Sequence, residues 1–430
     1  MGSNQKNVIV AQSGGPTPVI NSTLRGVIEL CKAMPERFGT IYGGFHGIEG
    51  VLKEELLDLS AQAEEEIALL SVTPAAGSIG TCRYKLKPGQ AEDFERVIEV
   101  FRAHDVGYFF YIGGNDSMDT AHKVHLLAAQ RGLDLIVVGA PKTIDNDLGD
   151  SAFQLLDHTP GYGSIARYWA LNLQNANEEN AGASPTDPVL VIQAMGRKIG
   201  FIPAAARLAD PHREMPLQIY LPESGIGLEE MADLVNDEVR RSGRCIAVIS
   251  EGLDVGDVGA MRDSFGHTIY SASRVSAAQA AVNYLNEHGL AARGAARFNM
   301  SGTDQRSSII YASTVDLKEA YWLGQQAVQI AAQGTSGVMS TLVRAAGEEY
   351  AVEYRHAPLE QMANSERPFP RQWIAPSRVD VTDDFLRYAR PLIGEEWPRI
   401  PLVDGLQRFA RLEMVFAPQQ LPSYTPQSYR

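Results

Sequence analysis

The chain has 430 residues, 44% of them hydrophobic and 21% charged, with a formal net charge of −14. That length predicts two or three domains with ample core material, and no apolar run approaches the ~20 residues of a membrane span. The acidic balance argues against nucleic acid or an anionic membrane as partner, so an anionic small substrate would need a local cluster of cations.

In chain order, an apolar strand at Asn7–Ser13 runs into AQSGGPTPVINSTLRG (residues 11–26). There Gly14 and Gly15 turn the chain into a helix beginning near Pro16–Pro18. A glycine turn at a helix N-terminus offers free N–H groups to phosphate, and it is equally what a tight strand–helix turn requires. A second strand follows at Thr40–Phe45, and GTCRY (80–84) places Arg83 in a loop. The helical stretch 91–104 leads to a strand at Gly107–Ile112 that ends in YIGGNDSMDT. Gly113 and Gly114 let a ligand approach the backbone closely. Asn115 and Asp116 carry oxygens that suit Mg2+; with Ser117 they can also cap the helix 117–132.

The next strand, Leu133–Gly139, feeds GAPKTIDNDLGD (139–150), with Lys142, Asp145 and Asp147. Aspartates two apart can divide tasks, one taking a proton and one sitting near a metal. Strand Pro188–Ala194 runs into QAMGRKIG with Arg197 and Lys198. Leu217–Leu221, the helix 228–243 and Arg244–Ser250 follow. Strand Ala295–Met300 leads to RFNMSGTDQRSS (297–308) with Arg297 and Arg306. Arginine forks bind phosphate with two parallel hydrogen bonds, and these basic loops together supply the positive field that the whole chain lacks. Past about residue 345 the pattern weakens and prolines and tryptophans gather, as an irregular C-terminal extension would show.

Near-continuous apolar strands mean burial on both faces, and their alternation with helices predicts a doubly wound α/β fold with mostly parallel sheets. Ligands bind such folds outside the carboxyl ends of the strands, where all the polar, glycine-rich stretches fall. There is no Gly-Lys dipeptide and hence no P-loop, and no G-x-G-x-x-G after the first strand. His46, His104, His122 and His158 have no metal-ligand spacing and read as packing or surface residues. Cys31, Cys82 and Cys245 are scattered, as free thiols in a reducing compartment would be. MGSNQKNVIVAQSGG lacks the basic and apolar regions of an export signal. The expected location is therefore cytoplasmic, which makes the N-x-Ser/Thr matches at Asn21 and Asn299 chance.

The ordered set GGP, GGND-S, PKTIDND, MGR and a late QR, spanning residues 7–335, resembles the phosphofructokinase family. The resemblance implies two Rossmann-like lobes with fructose 6-phosphate in the cleft between them, phosphorylated at its 1-hydroxyl. It implies a donor lobe over 1–158 with part of 295–340, a sugar-phosphate lobe over 159–294, and an extension over 345–430 packed on the body. Asp145 matches the base for that hydroxyl, with Lys142 and Asp116 as further catalytic positions. Gly14, Gly15, Arg83 and Gly114 fall at donor-phosphate positions. Thr143, Ile144, Asp145, Met195, Gly196, Arg197, Glu251, Arg297, Thr303 and Arg306 fall at sugar-phosphate positions, Arg297 reaching a neighbouring subunit's site. Mg2+ would lie at Asn115 and Asp147, and the chain would be a homo-oligomer, a dimer or a tetramer.

Two positions divide the family's branches. ATP-using members resemble GGDGS and PGTIDND, whereas this chain has Asp116 and Lys142 where those have glycine. Both resemble the pyrophosphate-dependent branch. A carboxylate at Asp116 would meet the α-phosphate of ATP with bulk and like charge, and Lys142 would add a cation beside the transferring phosphoryl group. The rival readings are an ATP-dependent phosphofructokinase and a non-catalytic regulatory subunit of the same fold. Three positions depart from the family: Asn115 replaces the metal-site aspartate, Pro188 an arginine seven residues before MGR, and Thr303 a histidine.

Overall fold

The computed structural model describes residues 5–430 except 88, 257–260, 263–267, 270–274 and 364, so the first four residues of the N-terminal stretch lie outside it. The strands that matter here are β1 (Lys6–Gln12), β2 (Phe38–Gly44), β3 (Leu56–Asp58), β4 (Val106–Gly113), β5 (Ile136–Pro141), β6 (Val189–Ala194), β7 (Leu217–Tyr220), β8 (Cys245–Ser250), β9 (Ala296–Met300), β10 (Val338–Arg344) and β11 (Val352–Pro358). They form a seven-stranded sheet in the order β11-β10-β5-β4-β1-β2-β3 and a four-stranded sheet in the order β9-β6-β8-β7. Every pair is parallel except the two edge pairs of the larger sheet, β10–β11 and β2–β3. The fold is thus the expected α/β type.

Alternation along the strands explains the layers. In β1, Ile9 and Ala11 face one core, which also holds Phe101 and Met118 from helices α1 (Ala91–Ala103) and α2 (Asn115–Gln130). Val8 and Val10 face the other, with Leu24 from the helix Ile20–Ala33 and Val328 from the helix Thr314–Ala332. The smaller sheet is covered likewise: Ile192 and Val248 pack against the helix Tyr162–Ala183, and Val191 and Ile249 against the helices Leu228–Ser242 and Ala277–His288.

The chain leaves β1 toward β2 on one side, while β4 lies on the other, which opens a crevice at their carboxyl ends. Register keeps those ends level: Gln12 stands opposite Ile112, and Gly113 opposite Pro141. In the smaller sheet β6 lies between β8 and β9 in the same way.

Sequence reading placed no strand beyond Met300, yet β10 and β11 complete the larger sheet. β10 buries Ser340 and Thr341 among its apolar residues, and β11 is an edge strand with alternate residues exposed, so neither reads as an apolar run. The irregular remainder crosses both units. Phe369, Phe385 and Tyr388 join the smaller sheet's core, and the chain then returns to pair Phe416 with Leu57 at the larger sheet's edge. Among the described residues no helix is long and apolar enough to cross a membrane.

Candidate active site

The carboxyl edges of the two sheets face one pocket. On one side are Gly14–Pro16 beyond β1, Gly114–Ser117 beyond β4, and Lys142–Asp145 with Asp147 beyond β5. On the other are Gln193, Met195 and Arg197 around the end of β6, Glu251 beyond β8, and Met300 with Gly302, Thr303, Gln305 and Arg306 beyond β9. Backbone conformation sets each loop. Gly14 adopts φ +79°, and a Cβ on Gly15 would stand 2.8 Å from Arg306 Nη1 and 3.6 Å from Arg83 Nη2. The glycines therefore leave bare backbone between two guanidinium groups, as a diphosphate requires.

In the TIDND loop Asn146 takes the left-handed conformation, φ +58°. It points into the core, donating to Tyr388 Oη (2.8 Å) while its Oδ1 accepts from Thr159 N (3.0 Å). That inward turn leaves Asp145 and Asp147 on the pocket wall. Arg197 is also left-handed, φ +54°, a strain of roughly 1–3 kcal/mol that neighbours must hold. Its N–H donates to Glu251 Oε1 (3.1 Å) and its carbonyl accepts from Ser250 Oγ (2.8 Å). The guanidinium then reaches Asp145, with Nε 3.8 Å from Oδ2.

The pocket's charges are balanced rather than simply positive. Arg83, Lys142, Arg197 and Arg306 face Asp116, Asp145, Asp147 and Glu251. Lys142 is buried and donates to the Gly15 carbonyl (2.6 Å). Burial, and then Arg306, push its ammonium down to about 7. Arg306 is likewise lowered by burial and by Arg83, and its buried Nε has no hydrogen-bond partner among the described residues. Cations held at such a disadvantage gain when an anion enters. Burial pushes Glu251 up to about 7, and burial with Asp145 alongside pushes Asp147 upward.

Of the residues singled out in the sequence, the pocket gathers Gly14, Gly15, Arg83, Gly114, Asn115, Asp116, Lys142, Thr143, Ile144, Asp145, Asp147, Met195, Arg197, Glu251, Thr303 and Arg306. Gly196 stands between two lining residues, Met195 and Arg197, without lining the pocket itself. Arg297 lies outside, on exposed β9, with Nε 2.9 Å from Asp187 Oδ1. Two of these residues carry contacts that no motif announced. Asp116 is not a bare carboxylate, because Lys85 forms an ion pair with it; its charge toward a donor is offset by a residue that carried no motif. Asn115 lines the pocket with its side-chain amide already hydrogen-bonded. Its amide donates to the Ser365 carbonyl (2.6 Å), and its Oδ1 accepts from Asp116 N (3.1 Å). Gln305 was also missed. Its Oε1 accepts from Met195 N (3.2 Å) and Trp169 Nε1 (3.0 Å), tying the MGR loop to the QR helix, and only its place beside Arg306 could have flagged it.

Asp147, with Asn115, fits a hard divalent cation. Both are oxygen donors on one wall, and Asp147 is buried beside a like charge that a cation would relieve. Among the described residues there is no cluster of three or more acidic, histidine or cysteine ligands, so phosphate oxygens and water would have to complete the shell, as is usual for Mg2+.

Residues 7–331 match the phosphofructokinase family model. The chain is similar to the pyrophosphate–fructose 6-phosphate 1-phosphotransferase of Methylococcus capsulatus, 38% identical over 97% of this chain and 98% of that one. It is also similar to two crystal structures of pyrophosphate-dependent phosphofructokinases. That from Nitrosospira multiformis has a TM-score of 0.87 at 36% identity, covering 98% of this chain and 100% of that one. That from Marinobacter aquaeolei has a TM-score of 0.86 at 35% identity, covering 98% and 99%. Members of the family generally use a divalent metal. With the family model matched over residues 7–331 and relatives matched along nearly their whole length, the chain belongs to the phosphofructokinase family.

Proposed function

We propose that the chain catalyses reversible phosphoryl transfer from pyrophosphate to the 1-hydroxyl of fructose 6-phosphate, giving fructose 1,6-bisphosphate and phosphate. The observation that carries this reading is the meeting of Asp145, Lys142 and the Lys85–Asp116 pair around one bare-backbone phosphate cradle. The names of the full-length relatives support the same donor.

Asp145 accepts the proton of the 1-hydroxyl as that oxygen attacks, and Arg197 holds the carboxylate in place. The transfer is direct, with no covalent intermediate on the protein. Arg83, Lys142 and the Gly14–Gly15 backbone bind the donor's phosphates, and Lys142 follows the charge that develops on the transferring group. Arg306, with Thr303 beside it, binds the 6-phosphate, and Met195 and Glu251 hold the sugar. Asp147, with Asn115, would hold Mg2+, which would neutralise the phosphate charge. Pyrophosphate and the sugar phosphate ester lie closer in energy than ATP and that ester, so the reaction runs both ways. We read the working form as a homo-oligomer, with Arg297 serving the adjacent subunit, and the compartment as the cytoplasm, where the buried thiols of Cys31, Cys82 and Cys245 would stay reduced.

The test is an assay of purified chain with Mg2+, fructose 6-phosphate and either pyrophosphate or ATP. Phosphate release from pyrophosphate with formation of the bisphosphate is expected. Turnover with ATP alone would overturn the donor assignment, and a verified folded chain inactive with both would revive the regulatory-subunit reading.

A further inference from the structure

The donor side of the pocket leans on the C-terminal segment. Residues 81–86 run along the carboxyl end of β1: Ser13 bridges Cys82, and Gly14 N donates to the Cys82 carbonyl (2.9 Å). In this extended stretch side chains alternate. Cys82, Tyr84 and Leu86 are buried, while Arg83 and Lys85 are half-buried on the opposite side. Arg83 lines the pocket and Lys85 pairs with Asp116. Whatever fixes Tyr84 from behind therefore sets where Arg83 and Lys85 stand in front.

Residues near the C-terminus meet Tyr84 there. Its hydroxyl donates to Asp93 Oδ2 (2.5 Å) and accepts from Gln90 Nε2 (2.9 Å) and Ser428 N (3.2 Å). Gln90 also bonds Ser428 Oγ (2.6 Å). The other Asp93 oxygen accepts from Tyr424 Oη (2.7 Å) and Gln427 N (3.0 Å), and the Tyr429 ring packs edge-on to Tyr84 at 5.5 Å. The hub is buried, with Asp93 fully so and Tyr84 5% exposed, and buried networks of this kind hold one geometry.

We propose that the segment Tyr424–Tyr429 positions the pyrophosphate-binding side chains through Tyr84, making Tyr84 a positioning residue for the donor and not for the sugar. The inference rests on the proposed function.

Two variants test it in the full-length chain. Tyr84→Phe keeps the ring and removes the hub hydroxyl; Tyr424→Phe combined with Ser428→Ala cuts the contacts from the tail. Each should raise the KM for pyrophosphate roughly three- to tenfold, the scale of a lost hydrogen bond, and leave the KM for fructose 6-phosphate unchanged. A lowered melting temperature with both KM values unchanged, or equal rises in both, would overturn the proposal, since that is how a merely structural contact behaves. If the wild-type chain ignores pyrophosphate and uses ATP, the functional reading fails separately, and the positioning claim then stands or falls on whether these variants shift the KM for ATP.

Discussion

The proton-accepting role proposed for Asp145 depends on its neighbours as much as on its carboxylate. Asn146 turns inward, Thr143 Oγ1 accepts the Asp145 N–H (3.1 Å), and Arg197 reaches across from the smaller sheet. Asp145→Asn preserves that geometry and removes the proton acceptor, so turnover should fall about 10²–10⁴-fold with both KM values near normal. A kcat close to wild type would remove Asp145 from the role. Lys142 gives a pH signature. Its folded-state value is pushed down to about 7 by burial and by Arg306, so the free enzyme loses this cation as pH rises through that point. Because kcat/KM reports groups of the free enzyme, kcat/KM for pyrophosphate should decline above about pH 7. Lys142→Arg, which stays protonated, should flatten that limb even if the absolute rate is lower. A limb that persists unchanged in Lys142→Arg belongs to another group.

At the scale of elements, the proposed donor pocket is made where the 81–86 stretch crosses the start of α2, and the Lys85–Asp116 pair is the crossing point. Asp116→Gly removes a side chain from the donor's path and releases the Lys85 ammonium toward it. The ratio of kcat/KM for ATP to that for pyrophosphate should therefore rise. Lys85→Met does the reverse, leaving a carboxylate facing an anionic donor. Since like charges brought together cost several kcal/mol, kcat/KM for pyrophosphate should drop by roughly tenfold or more. An unchanged donor ratio in Asp116→Gly would mean that pocket shape elsewhere excludes the nucleotide. The loops after β1, β4, β5 and β6 were legible in the sequence because each joins an apolar run to glycines and charges at one boundary. Lys85 and Tyr84 were not, because the stretch holding them has no apolar run and takes its structure from β1 and the distant tail. β10 and β11 were hidden for a related reason: a polar-interrupted strand and an exposed edge strand acquire their state from pairing, not from their own pattern. The histidines read as packing or surface residues divide accordingly: His104 is buried on Glu54, and His158 sits between Asp157 and Glu319.

At the scale of the molecule, the two sheets present their carboxyl edges to each other, and residues from both close the pocket. The smaller sheet ends in β9, an edge strand whose Arg297, Phe298 and Met300 are exposed. Met300 lies at the pocket's rim, but Arg297, three residues earlier and so on the opposite face of the strand, points its guanidinium to Asp187 instead. An exposed edge strand is a surface that pairs readily with another chain, and a cation there is well placed to contribute to a second chain's pocket while lying too far back to serve its own. If that is how Arg297 acts, an Arg297→Ala chain has an intact base but deprives its neighbour of a cation, whereas an Asp145→Asn chain lacks the base but keeps the cation. Co-refolding the two in equal amounts should then form mixed oligomers in which some pockets combine Asp145 of one chain with Arg297 of the other. Activity should exceed the sum of the separate variants and rise with the mixed fraction measured by native mass spectrometry. Verified mixed oligomers without such recovery would mean that each chain builds its pocket alone, and that Arg297 serves only its bond to Asp187.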